Sequence, residues 1–559
     1  MSQPPSEEHE YDPATPEHTV EDLHVQDPPT RFGGILRQLG PGLIIASAIV
    51  GSGELIATTK TGAQAGLSLL WLIFFGCLIK VFVQIELGRF TISEGETSLA
   101  ALNSVPGPKF RINWIVWFWF AMMLTSMAQL GGIVGGVGQA AAIAMPIKGD
   151  YAEVVKAPSE KQIKWYLEYQ DFLQMEDKTE SPFYDLPPAH ERRAELGMKY
   201  LEDRFESLRA ENYPIDDLIA RVAANEKITD PNTIDDRLWA FVITLFTAAL
   251  LYLSRYNLIQ TVSMVLVVSF TIITIGNVIS LQSTENFSVT FNELMHGLSF
   301  QLPERIGGIN PLTTAIATFG IIGVGASELI AYPYWCQEKG YAKFTGPKDQ
   351  TEKWSNRAKG WLRVMRYDAF NSMIIYTVAT MAFYFMGATV LFRQGLDPDG
   401  MRMVTTLSTA YVPIFGDYAR WLFLIGAIAV LYSTFLVANA SNARMWSDFF
   451  RLSRIVKIDN EEKFLKSVGI MSVILPCISF AVFASRVNPV HTILVAGMMQ
   501  SIMLPMLGFG ALYFRYKRTD RRLLPGRVWD IFLILSFLGL LITGLWGLYS
   551  QLKEWGLLG

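Results

Sequence analysis

Apolar residues gather in eleven blocks, near 41–63, 67–89, 113–145, 237–254, 256–281, 310–336, 369–393, 417–442, 467–485, 490–514 and 529–550. Each is close to the about twenty residues that a helix needs to cross the hydrocarbon core of a bilayer. The pattern predicts an all-α integral membrane protein with about eleven transmembrane helices. Residues 1–33 are rich in Pro, Glu, Asp and His, show no apolar period and hold no secretory signal; they are expected to form a disordered tail. Spans 1–3 then occupy 34–146, a charged, helix-patterned insert occupies 147–236, and spans 4–11 occupy 237–559. The insert is too long for a passive connection and is predicted to be a small domain or hairpin.

The first and sixth blocks carry the same interruption. One reads Gly51-Ser52-Gly53-Glu54-Leu55-Ile56-Ala57, the other Gly325-Ala326-Ser327-Glu328-Leu329-Ile330-Ala331. Gly costs a helix about 1 kcal/mol relative to Ala, so both stretches are weak points. An unwound backbone at membrane depth is tolerated only where it is buried in protein or lines a cavity. Its free carbonyls, with a carboxylate, can replace a cation's hydration shell. Close helix packing accounts for Gly51, Gly53, Gly320, Gly323 and Gly325, but not for a carboxylate following in both copies. An ionised group at this depth is costly and points to function. The candidate ion ligands are therefore Gly51, Ser52, Glu54, Gly325, Ser327 and Glu328.

Charge adds orientation. The chain of 559 residues is 51% apolar and 18% charged, with a mean hydropathy of +0.27. Lys and Arg concentrate after the sixth block (Lys339 to Arg366), the eighth (Arg444 to Lys466) and the tenth (Arg515 to Arg527). The positive-inside rule places these loops and the N-terminus in the cytoplasm, and the insert and the C-terminus outside. The expected location is a bacterial inner membrane or a plasma membrane. A net charge of −4 is weak and says nothing about nucleic acid, and no nucleic-acid partner is expected. Cys77, Cys336 and Cys477 form no CxxC pair or disulfide framework, and none of the six histidines sits mid-span. No nucleophile elbow, phosphate loop or hydrolase motif is present, so no enzyme and no cofactor are implied.

Further polar residues lie within spans. Lys80, mid-way along the second, either neutralises Glu54 or Glu328 in an empty site or is held by snorkelling or a fixed salt bridge. Gln84 follows one turn later. Tyr432, Ser433, Thr434, Asn439, Ser441 and Asn442 in the eighth span and Gln500 in the tenth either complete a coordination shell or hydrogen-bond between helices.

Gly40-Pro41-Gly42, Gly62-Ala63, Gly66, Leu69-Leu70-Trp71, Gln84 and Asp368 form a set of motifs, without gaps around the first two spans and weaker elsewhere, in which the chain resembles the Nramp family of divalent-metal transporters. The resemblance implies the LeuT-type fold, two inverted five-helix repeats with broken first and sixth helices plus a terminal helix. It also exposes departures. The family's first-span Asp-Pro-Gly-Asn reads Gly51-Ser52-Gly53-Glu54, so its metal-binding Asp is Gly51. Its sixth-span Met falls on Gly325 or Ser327, and its sixth-span His is missing. The third-span acids that serve proton transfer fall on Ser126 and Gln129. Two carboxylates, with backbone and hydroxyl oxygens and no thioether, suit a harder ion such as Mg2+ or Mn2+. The expected function is divalent-cation transport by alternating access, with the bilayer and the ion as partners. The rivals are a carrier of a small organic solute such as an amino acid, and a sensor that works through the insert.

Overall fold

A computed structural model describes residues 25–559, except 180, 182, 185, 187, 254–255, 304–309, 555 and 557–559. Among the described residues eleven helices are long and apolar enough to cross a membrane: Pro41–Ala65, Leu70–Glu94, Trp114–Ala144, Asp235–Leu253, Thr261–Leu281, Pro311–Lys339, Glu352–Leu391, Val412–Ser453, Glu461–Ala484, Pro489–Arg518 and Arg527–Lys553. The seventh and eighth run well past their apolar blocks. The flanking charges, Lys353 to Arg366 and Arg444 to Arg451, continue the helix beyond the apolar zone. Among the described residues a short antiparallel pair, Lys109–Phe110 with Ile112–Asn113, lies between spans 2 and 3.

Packing repeats under an exchange of halves. The start of span 1 packs on span 5, and the start of span 6 on span 10; span 5 packs on span 8, and span 10 on span 3. Span 7 packs on span 1, and span 2 on span 6. Spans 1–5 and 6–10 are thus two copies of one five-helix unit, as the LeuT-type expectation requires, and span 11 lies against spans 2 and 10.

Spans 1 and 6 are both broken. Span 1 is an α-helix over Pro41–Ile49, a break at Val50 and Gly51, a π-helix over Ser52–Thr58, then α-helix over Thr59–Ala65. Span 6 is α-helical over Pro311–Ile321 and resumes at Ala326–Lys339. Asp368 of span 7 anchors the first half-helix. Its two carboxylate oxygens accept the Gly40 N–H at 2.9 Å and the Gly42 N–H at 2.6 Å. The Tyr332 hydroxyl donates to it at 3.0 Å.

The basic loops share a face with the N-terminal helix Phe32–Gln38, whose Gln38 carbonyl accepts from Tyr341 at 2.7 Å. The expected disordered tail over 1–33 lies mostly outside the described residues, and its last part is a correction. The Gln26 N–H donates to the Phe344 carbonyl at 3.0 Å, and Trp361 Nε1 donates to the Gln26 carbonyl at 2.9 Å. Gly346 and Gly360 leave room for Val25 and Pro28 to lie flat there. At the other face the insert forms helices over Asp150–Val154, Glu160–Gln174, Pro188–Ala210 and Ile215–Ala223. Ile163, Leu201, Phe205, Leu208, Ile215 and Val222 give it a core of its own. The Asp235 carboxylate ties its two ends by accepting the N–H groups of Ile147, Lys148 and Gly149 at 2.8 to 3.0 Å.

Candidate functional site

The two breaks meet. Gly53 packs against the Ile321 carbonyl at the end of the first half of span 6, and Thr61 and Thr318 share a hydrogen bond of 2.8 Å just beyond. Beside this contact lies a cavity of about 30 Å³, lined from span 1 by Ala48, Ile49, Ser52 and Gly53, and from span 6 by Ile321, Ser327, Glu328 and Ala331. Span 3 contributes Ser126 and Gln129, and span 8 Thr434, Ala438, Ser441, Asn442 and Met445. The space holds one or two waters or a dehydrated ion.

The polar groups are arranged as a chain between the breaks. The Ser327 N–H donates to Gln500 Oε1 at 3.3 Å, Gln500 Nε2 to Gln129 Oε1 at 3.0 Å, and Gln129 Nε2 to Ser52 Oγ at 3.4 Å. Gln500 is buried just behind the cavity. Glu328 bends back over Gly325 and accepts no hydrogen bond from another side chain among the described residues, so its carboxylate is available to the cavity. Ser327 Oγ is buried without a partner. Among the described residues no group of three His, Cys, Asp or Glu side chains gathers. A divalent ion here would meet one carboxylate and several neutral oxygens.

Glu54 is elsewhere. It is absent from the cavity lining and fully buried, with Oε1 accepting from Thr380 Oγ1 of span 7 at 2.9 Å and Oε2 unpartnered. The two copies of the repeat therefore aim their acids differently. In the first copy the Glu sits in a π-helix, where each residue turns less about the axis than in the α-helix of the second. Gly51, at the family's Asp position, has no room for a side chain, because the Thr434 hydroxyl fills the space a Cβ would take and donates to the Ala48 carbonyl at 3.0 Å.

The remaining candidates divide. Ser126 lines the cavity, with its hydroxyl turned to the Met122 carbonyl at 3.2 Å. Asn439 is fully buried outside the lining, its Nδ2 bonded to the Phe435 carbonyl of its own helix at 2.8 Å. Gln84 is fully buried with neither amide atom partnered. Lys80 neither snorkels nor pairs with a carboxylate within 4.0 Å among the described residues; it donates to the carbonyls of Phe319 and Ile322. Met445 of span 8 is a cavity-lining residue outside the sequence-based candidates, and the spacing Thr434, Ala438, Ser441, Asn442, Met445 is a helical stripe visible in the sequence.

The sequence profile of the natural resistance-associated macrophage protein-like family, Nramp, matches residues 215–550, spans 4–11, where the residue motifs are the weaker. The divalent metal cation transporter MntH of Caldanaerobacter subterraneus subsp. tengcongensis is 31% identical over 103 residues, 18% of this chain. The chain spans about a quarter of the length of that relative. A crystal structure of the Eremococcus coleocola manganese transporter in complex with an aromatic bis-isothiourea compound is 15% identical, with a TM-score of 0.59 over 94% of this chain and 90% of that one. A mutant of the same transporter gives 14% and 0.59 over 95% and 90%. These structures share the fold. With more than half of its length matched by the family profile, the chain belongs to the Nramp family.

Proposed function

We propose that the protein carries a divalent metal cation across a membrane by alternating access, the half-helices of spans 1 and 6 hinging at their breaks. The observation that carries this reading is that both breaks open onto one ion-sized cavity holding one free carboxylate, Glu328. The names of the related MntH and manganese transporters support it. In the reading, Glu328 supplies the charge, and Ser52, Ser327 and the carbonyls around Gly51 and Gly325 supply oxygen. The Gln129 and Gln500 amides hold the two breaks in register. Glu54 serves span 7 rather than the ion in this conformation. Oxygen donors with the Met445 sulfur at hand suit Mn2+ better than Mg2+. The basic face is the cytoplasmic one, with the N-terminus.

Calorimetry of the purified protein with Mn2+, Mg2+, Ca2+ and Zn2+ tests the reading. Wild type is expected to bind saturably, Glu328→Gln to lose at least about tenfold in affinity, equivalent to about 1.4 kcal/mol, and Glu54→Gln to keep it. Unchanged binding by Glu328→Gln overturns the site. Binding of none of the four ions by wild type overturns the cargo and moves the reading to a small organic solute.

A further inference from the structure

The second span brings a positive charge to the break in span 6. Lys80 is fully buried, yet its ammonium has no carboxylate partner within 4.0 Å among the described residues. It donates to the Phe319 carbonyl and, at 2.7 Å, to the Ile322 carbonyl, and lies 4.5 Å from the centre of the Phe319 ring. These oxygens are free for a local reason. The half-helix ends at Ile321, and Gly323, in the left-handed conformation at φ +55°, turns the chain away. The carbonyls of the last turn are left without helical partners and carry the negative end of the helix dipole. In broken membrane helices such an end is where a free cation is coordinated, and an aromatic face adds to the attraction.

We propose that Lys80 is a tethered cation, its ammonium filling a monovalent-cation site at the carbonyl end of the first half of span 6. The protein then needs no free monovalent ion at this break. Both Glu54 and Glu328 lie within the field of its ammonium. The inference does not depend on which cargo occupies the neighbouring cavity. It differs from an ordinary helix cap in one respect: removing the tether while leaving the space empty should create a site that a small free cation refills.

The test uses the full chain with Lys80→Ala, Lys80→Ser and Lys80→Met, extracted and purified in methylammonium chloride. Thermal unfolding is then followed after exchange into choline, sodium, potassium or methylammonium chloride. In choline, too large for the site, the Ala and Ser variants are expected to melt roughly 5 °C or more below wild type. Methylammonium should restore them saturably while leaving wild type unmoved. Met fills the space with apolar atoms and should stay low in every salt. The proposal is overturned if no small cation raises the Ala or Ser variant more than it raises wild type, or if Met is rescued equally. Failure of both small variants to fold even in methylammonium overturns it too, since the free ion should then replace the tether.

Discussion

At Gly51 the obstacle to a larger residue is space rather than backbone conformation. Its φ of −161° is extended chain that any residue adopts, but the Thr434 side chain occupies the volume beside its Cα. Gly51→Asp alone should destabilise the protein by about 1–3 kcal/mol or more, as overpacking does. Gly51→Asp with Thr434→Gly should recover the melting temperature and add a second carboxylate, tightening Mn2+ binding in calorimetry. Met445→Leu should weaken Mn2+ binding more than Mg2+ binding, because only the former gains from a thioether; equal effects would show that the sulfur does not reach the ion. The glycines, the serines and Glu328 are legible in the sequence because small residues before an acid have few other uses at that depth. Thr434 and Met445 are not, since span 8 offers several polar residues and only the fold selects the stripe that faces the break.

The breaks themselves follow from sequence, but their form does not. The two seven-residue copies differ at only the second and third positions, yet one winds as a π-helix and the other as an α-helix. Thr58 and Thr59, whose hydroxyls bond to the Gly53 and Glu54 carbonyls five residues back at 2.9 and 3.3 Å, support the wider turn in the first copy. The second copy has Tyr332 and Pro333 at those places. This local chemistry sends Glu54 to Thr380 and leaves Glu328 for the cavity, which the identity of the motifs conceals. Between the elements, the Gln129–Gln500 link is a side-chain bridge from span 3 to span 10 beside the cavity. Gln500→Ala leaves the Gln129 amide and the Ser327 N–H without it, a loss of about 1–3 kcal/mol. The expected result is Mn2+ affinity lowered about tenfold with the fold intact by circular dichroism; unaltered affinity would reduce the link to packing.

For the molecule as a whole, the insert is docked and not merely attached. Arg402, between spans 7 and 8, donates to Asp230 at 2.9 Å and to the Ala157 carbonyl at 2.7 Å, and Tyr151 reaches the Met401 carbonyl at 2.5 Å. His190 and Arg193 of the insert lie 5.2 and 4.9 Å from the centre of the Phe392 ring. Burial, and after it the Arg193 guanidinium, push the His190 imidazole down from 6.5 to about 4. Between those values the unfolded insert takes up a proton that the docked one refuses. The stability it contributes is therefore complete above about pH 6.5 and is lost as pH falls towards 4. The hydrogen-exchange protection of Pro188–Ala210, corrected for the slower intrinsic exchange at lower pH, should fall across that interval in wild type and not in His190→Phe. The insert's helices rest on apolar contacts among Ile163, Leu201, Phe205, Leu208, Ile215 and Val222, close together in the chain. Its grip on the membrane-spanning part was not legible in the sequence, because each contact joins residues far apart in the chain.

Phe392 has a second neighbour. The ring also lies against Gly66, the residue that ends span 1. The aromatic ring therefore touches both the insert and the far end of the broken helix. If the proposed transport cycle moves span 1, an antibody fragment that clamps Pro188–Ala210 should slow ion uptake without touching the cavity between the breaks, and a space of about 510 Å³ beside His190, Phe392 and Gly66 adjoins the same contact.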